Sequence, residues 1–184
     1  MNKLGTTQKF KMKAYKLVSF LLLILIFNAC KDNTKKATAI IQPRNNSSIS
    51  GKVTFVEKNG VVWMEASITN ASEGNHAIHI HAIGDCSAPD GKSAGGHWNP
   101  TNESHGKWGI EPFHRGDIGN IVIGAEGKGT ISRETDLWCI GCEDETKNII
   151  GKSIIIHQGP DDFTSQPAGA AGARIGCGVI ELVE

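Results

Sequence analysis

The sequence predicts an all-β domain, built as a sandwich or barrel of short strands. Segments rich in β-branched and aromatic residues recur along the chain, and turns containing Gly and Asn separate them. No stretch shows a convincing helical period over the length of a helix. About 150 of the 184 residues follow an N-terminal segment of different composition, and this length suits one domain with a sizeable core.

The first two predicted strands form a hairpin. Residues 52–57 are β-branched and aromatic, and residues 61–69 supply the answering strand. Asn59-Gly60 lies between them, and this dipeptide favours the left-handed backbone of tight hairpin turns. Residues 73–75 turn the chain again, and residues 77–81 are predicted as the next strand.

The second half of the chain continues the pattern. Residues 120–123 are predicted as a strand, and residues 130–132 are predicted to pair back on it through a turn at 126–129. Residues 148–157 are rich in isoleucine and are predicted as a buried strand, followed by a last strand over 173–183.

Two long loops interrupt this strand pattern. Residues 84–116 and residues 158–172 show no period, and the first is rich in Gly, Pro, Asn and Ser. Loops of this length inside a compact domain are usually functional. We therefore look for the site in these loops and on the strands beside them.

The N-terminal segment has the composition of an export signal. Residues 1–16 carry five lysines and no acid, and residues 17–27 are almost wholly apolar but too short to span a bilayer comfortably. Ala29 then precedes Cys30, and this pair resembles the lipobox of bacterial lipoproteins. In that motif the signal is cut before the cysteine, which then receives lipid.

We expect three regions from this reading: a signal peptide over 1–29, a lipidated Cys30 with a flexible tether over 30–48, and the domain over 49–184. A plain secretory signal with an incidental Cys30 is the alternative. Either Met1 or Met12 can be the start, because the basic segment is long. The expected location is the cell envelope, as a periplasmic or outer-membrane-anchored lipoprotein.

The charge balance excludes one class of partner. The five lysines ahead of Cys30 leave 14 basic against 19 acidic residues in the rest of the chain. Binding to phosphate backbones needs a basic patch, so we expect no nucleic-acid partner.

Four cysteines follow Cys30 in the chain, at positions Cys86, Cys139, Cys142 and Cys177. An even number of cysteines in an exported protein suggests disulfides. The sequence alone allows three pairings of the four.

Histidines are concentrated in one part of the chain, because five of the seven lie between His79 and His114. His79 and His81 are two apart on a predicted strand, so both side chains point to the same face and can chelate one metal. His157 ends another predicted strand and can reach the same point. Neutral imidazole suits zinc and copper.

The first long loop and its end add a second potential ligand set, consisting of His97, His105, His114 and Asp117. Three imidazoles and a carboxylate suit tetrahedral zinc. A long loop without a hydrophobic core of its own gains order by holding a metal. The alternative is a solvated polar loop.

These residues and their neighbours resemble those of the Cu/Zn superoxide dismutases. The likeness covers roughly residues 50–184, and it rests on His79-Ile80-His81, Gly84-Asp85-Cys86, Gly96-His97-Trp98-Asn99-Pro100, His105-Gly106, His114-Arg115-Gly116-Asp117, His157, Asp161-Asp162 and residues 172–180. The resemblance implies an eight-stranded Greek-key β-barrel or sandwich with long metal-binding and electrostatic loops.

The resemblance also implies two metals. Copper is expected on His79, His81, His97 and His157. Zinc is expected on His97, His105, His114 and Asp117. His97 belongs to both sets, so it is expected to bridge the metals.

The implied activity is dismutation of superoxide to dioxygen and hydrogen peroxide, which would protect the cell envelope as an antioxidant. Arg174 resembles the family's active-site arginine, and an always-charged guanidinium suits a small anion. His97 is expected to carry a proton during the reaction. Asp161 resembles a carboxylate that links a copper histidine to a zinc histidine, with Asp162 as the competing choice. Lys92 and Lys107 are candidates for local positive charge.

By the same resemblance Cys86 and Cys177 form a disulfide, which leaves Cys139 and Cys142 outside the family's shared core. A local disulfide is expected for this pair. Free thiols, an extra metal contact and a thiol-oxidoreductase motif are the alternatives, and the last needs a helix that the polar residues 143–148 do not predict. A copper-delivery module without dismutation is the other rival function. A homodimer is among the expected assemblies.

Overall fold

The computed structural model describes residues 33–183, which form nine β-strands joined by turns and two long loops. The strands are β1 (Lys35–Pro43), β2 (Ser50–Lys58), β3 (Val61–Thr69), β4 (Gly74–His81), β5 (Gly119–Ile123), β6 (Gly129–Thr135), β7 (Ser153–His157), β8 (Arg174–Val179) and β9 (Glu181–Leu182). Within the described range the one helical element is a single 3-10 turn, Lys92–Ala94. The all-β prediction is therefore confirmed.

The strands form a nearly closed antiparallel barrel. Their order is β5-β4-β7-β8-β1-β2-β3-β6, and the short β9 pairs with β1 outside this path. The two edge strands, β5 and β6, are consecutive in the chain, and the turn between them closes with a 2.9 Å bond from Gly124 N–H to the Lys128 carbonyl. The connections β3–β4 and β6–β7 cross between distant strands, as a Greek-key barrel requires.

The prediction of a flexible tether is wrong for Lys35–Pro43, which forms β1 at the centre of the sheet order. This strand pairs with β2 from Lys35–Glu57 to Ile41–Gly51, and it also pairs with β8. Its inward positions are buried, but two of the three are alanines. The hydrophobic alternation is therefore weak, because alanine contributes little apolar surface.

The predicted pairing of residues 130–132 with residues 120–123 is also wrong. β6 pairs along its whole length with β3, from Ile68–Gly129 to Val62–Thr135. The turn after β5 does reverse the chain. It leads from one edge of the strand order to the other, where β6 pairs with β3. Gly129 permits the crossing, since a Cβ there would overlap the Val122 carbonyl.

Two predicted strands are shorter than expected. The isoleucine-rich segment becomes β7 only from Ser153, because Asn148 forms an isolated bridge with Cys139 and residues 150–151 form a turn. The last strand divides at Ile180 into β8 and β9.

Alternation on β4 places His79 and His81 outside the barrel and Ile78 and Ile80 inside. Ile78 and Ile80 are fully buried in the main core. His79 and His81 point to the opposite face of the strand, yet they are also buried, at 0% and 1% exposure. The two long loops must therefore cover this outer face, where Ile155 packs with Ala94 of the first loop.

Among the described residues, no helix is long and apolar enough to cross a membrane. The predicted signal peptide over 1–29 and the predicted lipidation of Cys30 lie outside the described residues.

The role of β1 can be tested with two neighbouring isoleucines. Ile41 is 2% exposed and Ile40 is 54% exposed. We predict that Ile41→Ala lowers the free energy of unfolding of the metal-free protein by about 2–4 kcal/mol, because it leaves a cavity in the core. Ile40→Ala is the matched control and should change stability little. If urea unfolding shows that neither substitution changes the free energy of unfolding, β1 is not part of the folded core and this segment is a flexible tether.

Candidate metal centre

Backbone hydrogen bonds fix the first long loop against β4. Ile80 N–H donates to the Gly116 carbonyl at 2.9 Å, and Trp98 N–H donates to the Ile80 carbonyl at 2.9 Å. Gly116 N–H then donates to the Trp98 carbonyl at 3.0 Å. A Cβ at Gly116 would overlap the Ile80 carbonyl, so only glycine allows this approach. The loop is thereby held with His97 next to the histidines of β4.

The first group of ligand-type side chains comprises His79, His81, His97 and His157, all buried, with ligand atoms within 4.8 Å of one another. Four ring nitrogens of this group, one from each residue, are buried and without a hydrogen-bond partner: His79 Nδ1, His81 Nε2, His97 Nε2 and His157 Nε2. Buried polar atoms are nearly always paired. Four convergent lone pairs are a donor set that fits copper or zinc.

The opposite nitrogen of each ring is engaged by the protein. His79 Nε2 lies 2.8 Å from Asp161 Oδ2, and His81 Nδ1 lies 2.9 Å from the Gly95 carbonyl. Carboxylate and carbonyl oxygens accept, so these nitrogens carry the proton and leave the other nitrogen as a free lone pair. Such contacts fix tautomer and ring orientation.

The same logic holds for the remaining two rings. His157 Nδ1 lies 3.2 Å from the Gly172 carbonyl, and His97 Nδ1 lies 2.8 Å from Asp117 Oδ1. His97 therefore presents one nitrogen to the first group and the other to Asp117.

The second group comprises His97, His105, His114 and Asp117, also all buried. Asp117 Oδ1 is at its centre, 2.8, 3.1 and 3.2 Å from the Nδ1 atoms of His97, His105 and His114. The contact with His105 Nδ1 lacks hydrogen-bond geometry. Asp117 Oδ2 accepts the N–H groups of Gly106 at 3.0 Å and His114 at 2.8 Å. Three imidazoles and one carboxylate match the ligands of tetrahedral zinc.

Asp161 joins the two groups. Its Oδ2 contacts His79 Nε2 at 2.8 Å, and its Oδ1 contacts His105 Nε2 at 2.9 Å. Gly169, with φ at +67°, covers this carboxylate so closely that a Cβ would overlap Oδ1. Asp162 instead accepts hydrogen bonds from Thr164 and Ser165 within its own exposed loop.

In the metal-free centre, burial lowers histidine pKa values in the first group, whereas carboxylates raise the pKa of one histidine in the second. Burial lowers the pKa of His97 to about 4 and that of His157 to about 3, and it holds the pKa of His81 well below its usual value. The rings of the first group thus favour the neutral, metal-binding form.

The second group has the opposite tendency at His105. Burial lowers the pKa of His105, but its contacts with Asp117 and Asp161 outweigh burial and raise the pKa to about 9. Burial raises the pKa of Asp117, yet its contacts with His105, His114 and His97 hold it far below the usual range. The metal-free second group therefore contains an imidazolium paired with a carboxylate.

Arg174 lies beside the first group, at the start of β8. Its guanidinium donates to the Gly91 carbonyl at 2.9 Å and to the Gly95 carbonyl at 2.7 Å. The Gly95 carbonyl also accepts from His81, so one backbone oxygen links the arginine to a histidine of the group. Lys92, in contrast, is highly exposed and paired with Asp90 at 3.1 Å. Lys107 lies over the Phe163 ring.

Sequence reasoning missed Asn45, in the turn between β1 and β2. Its side-chain amide donates to the Arg174 carbonyl at 2.9 Å, and Ser47 Oγ donates to the next carbonyl, that of Ile175, at 2.6 Å. Asn45 and Asn46 both have positive φ, 52° and 58°, which asparagine tolerates in turns. An Asn-Asn pair was the available signal, but it fell in the predicted tether.

Both remaining cysteine pairs form disulfides. Cys86–Cys177 joins the first long loop to β8, with a Cα–Cα distance of 5.8 Å. Cys139–Cys142 closes a short local loop, with a Cα–Cα distance of 6.0 Å. No helix begins at Cys139 in residues 139–152, so the context of a thiol oxidoreductase is missing. Neither cysteine belongs to a histidine group.

Comparison with known proteins identifies relatives over most of the chain. A family model described as copper/zinc superoxide dismutase matches residues 49–180. The Cu-Zn superoxide dismutase 2 of Mesembryanthemum crystallinum is 36% identical over 155 residues, which cover 80% of this chain and 95% of that protein. The Cu-Zn superoxide dismutase of Caulobacter vibrioides is 35% identical over 149 residues, covering 79% and 85%. Superoxide dismutase 1 of Aquifex aeolicus is 37% identical over 136 residues, covering 71% and 79%.

Metal binding to the second group should release a proton at neutral pH. His105, with a pKa of about 9 in the metal-free protein, is protonated there and must lose its proton to bind a metal. We predict release of about one proton per zinc at pH 7, falling towards zero as pH rises through the pKa of His105, so that apparent affinity rises over the same range. Calorimetric titration in buffers of different ionisation enthalpy measures this. Zero release at pH 7 would contradict the charge assignment.

Proposed function

The chain belongs to the copper/zinc superoxide dismutase family, and from this premise we propose which of its residues hold the two metals and act on superoxide. It is an enzyme that converts superoxide to dioxygen and hydrogen peroxide, with copper and zinc as cofactors. When bound, copper supplies the one-electron redox chemistry, whereas zinc is redox-inert and supplies charge and geometry.

We assign copper to His79, His81, His97 and His157. The observation that carries this assignment is the set of four buried nitrogens that converge without hydrogen-bond partners. Zinc is assigned to His97, His105, His114 and Asp117, since a carboxylate among three imidazoles is the harder donor set and suits zinc.

His97 belongs to both groups and is the proposed proton carrier. Its Nδ1 faces Asp117, and its Nε2 faces the other three histidines of the first group. Its Nε2 is buried and has no hydrogen-bond partner in the protein, so a proton held there is not retained by an internal acceptor and can pass to a basic acceptor. This position suits delivery of a proton to the reduced product.

Arg174 is the proposed substrate-binding residue. Its carbonyl partners Gly91 and Gly95 leave the guanidinium charge uncompensated by any carboxylate within ion-pair distance among the described residues. A permanent positive charge beside the first group attracts a small anion, and this local field must act against an acidic chain. We assign Asp161 the role of orienting His79 and His105, one ring of each group.

We also propose that the protein is exported and anchored by lipid on Cys30, after removal of residues 1–29. Two disulfides favour an oxidising compartment, and a relative from Brugia pahangi, 33% identical over 160 residues, is named an extracellular superoxide dismutase. Protection of the cell envelope would then be its role. A homodimer remains a prediction.

Membrane association should depend on one sulfur. In cells, Cys30→Ser should shift the protein from the membrane fraction to the soluble envelope fraction, because no lipid can be attached. Labelling with a fatty-acid probe measures the modification directly. Equal labelling of wild type and variant would contradict the anchor while leaving the dismutase assignment intact.

Activity tests the metal assignment. Protein loaded with copper and zinc should remove superoxide rapidly, and His81→Ala should lose both copper retention and activity, because it removes one of four ligands. Asp162→Asn is the matched control, since this carboxylate lies in the exposed loop and contacts no ring. A fully loaded wild type without activity, or a His81→Ala variant that retains both properties, would overturn the assignment.

A further inference from the structure

The segment Trp138–Cys142 has no part in the metal and substrate roles above, although it is firmly built into the barrel. Cys139 exchanges backbone hydrogen bonds with residues 147 and 149, at 2.8 and 3.1 Å. Ile140 N–H donates to Glu57 of β2 at 2.6 Å, and Lys35 of β1 donates to the Ile140 carbonyl at 2.9 Å. The disulfide loop (residues 138–149) is thus fixed by its own crosslink and by two strands.

This loop begins with a buried tryptophan, Trp138, whose indole contacts both the core and the loop that carries His114. Trp138 is 1% exposed, and its ring contacts Phe55 in the core, with a centroid distance of 6.2 Å. Its indole N–H donates to the carbonyl of Arg115 at 2.9 Å. A buried indole N–H normally needs such a partner, so the bond determines how the ring sits.

The acceptor lies inside the zinc-side loop (residues 105–117). Arg115 directly follows His114, and Asp117 comes two residues later, so the bond fixes the peptide between two proposed zinc ligands. On the inner side, the same segment is fixed by Asp117 Oδ2, which accepts from His114 N–H at 2.8 Å. The peptide carrying His114 is therefore fixed from both sides.

A second contact reaches the other side of His114. Trp138 packs on Trp108 with a centroid distance of 5.0 Å, and Trp108 packs on Phe113 with a centroid distance of 5.5 Å. Phe113 immediately precedes His114 and is 6% exposed. Trp138 thus contacts the zinc-side loop before His114 through tilted ring contacts and after it through a hydrogen bond.

We propose that Trp138, held by the Cys139–Cys142 loop, is a positioning element for His114 and thereby sets how tightly the second group retains zinc. This inference rests on the proposed assignment of zinc to that group. Trp138 contacts no ligand atom and acts only through the backbone that carries His114. Outer contacts of this kind typically change metal affinity about 10- to 100-fold when removed.

Trp138→Phe tests the hydrogen bond while keeping an aromatic ring. Zinc affinity of the folded, metal-free protein is measured by competition with a chromophoric chelator. We expect about tenfold weaker zinc binding for Trp138→Phe. Trp63→Phe is the matched control, since Trp63 is 41% exposed on β3, and it should bind zinc as the wild type does. Wild-type zinc affinity in Trp138→Phe would overturn the proposal.

Copper affinity distinguishes positioning from general loosening. In Trp138→Phe, copper affinity at the first group should remain at the wild-type value, because His79, His81 and His157 are held by other contacts. Equal losses for both metals would show a merely structural role and overturn the proposal. His114→Ala separates the premise from the inference: wild-type zinc affinity in that variant would remove the zinc assignment itself.

The disulfide is tested by a double-mutant cycle. Cys139→Ser with Cys142→Ser should weaken zinc binding in the same direction as Trp138→Phe, because the loop that holds the indole is released. Combining all three substitutions should weaken binding by less than the sum of the two separate losses, since both changes act on the indole hydrogen bond. Fully additive losses, or an unchanged affinity in the cysteine variant, would overturn the part assigned to the disulfide.

Discussion

The four imidazole nitrogens of the first group, buried and without hydrogen-bond partners, are the constraint on which the rest of the structure depends. Each unsatisfied buried polar atom costs about 1–3 kcal/mol, so the metal-free centre stores a destabilising term that a bound metal removes. The loops around these nitrogens have little core of their own. Metal binding therefore contributes directly to the order of the loops.

The protein controls these nitrogens by engaging the opposite side of each ring. Carbonyls of Gly95 and Gly172 and the carboxylates of Asp117 and Asp161 hold the four rings in one tautomer and orientation. Asp161 extends this control to His105, so one carboxylate orients a ring in each group. The same framework holds Arg174, the proposed substrate-binding residue, since the Gly95 carbonyl also accepts a hydrogen bond from its guanidinium.

Much of the site could be predicted because its signals are local. The spacing of His79 and His81 fixes a shared strand face, and His157 was placed near them because it ends another predicted strand. The fold was harder to predict where a strand's position depends on pairing with residues far away in the sequence. β1 has a weak hydrophobic pattern because Ala37 and Ala39 occupy two of its three inward positions. The sequence of the turn after β5 does not show whether β6 pairs with β5 or with the more distant β3.

The structure also contains contacts that the spacing of residues in the sequence does not predict. Asn45 acts on Arg174 across 129 positions of sequence, and the Trp138 indole acts on Arg115 across 23. Both are single side-chain bonds to backbone carbonyls, and any Asn or Trp in a strand-rich chain carries the same local signal. Only the closed barrel brings these donors to their acceptors.

The central claim is that His97 stands between two distinct metals, each held by its own group. Anomalous diffraction from crystals loaded with both ions, collected above and below the copper and zinc absorption edges, tests it most directly. We expect a copper peak bounded by His79, His81 and His157, a zinc peak bounded by His105, His114 and Asp117, and the His97 ring between them. A single shared peak, exchanged metals, or a peak away from His97 would contradict it.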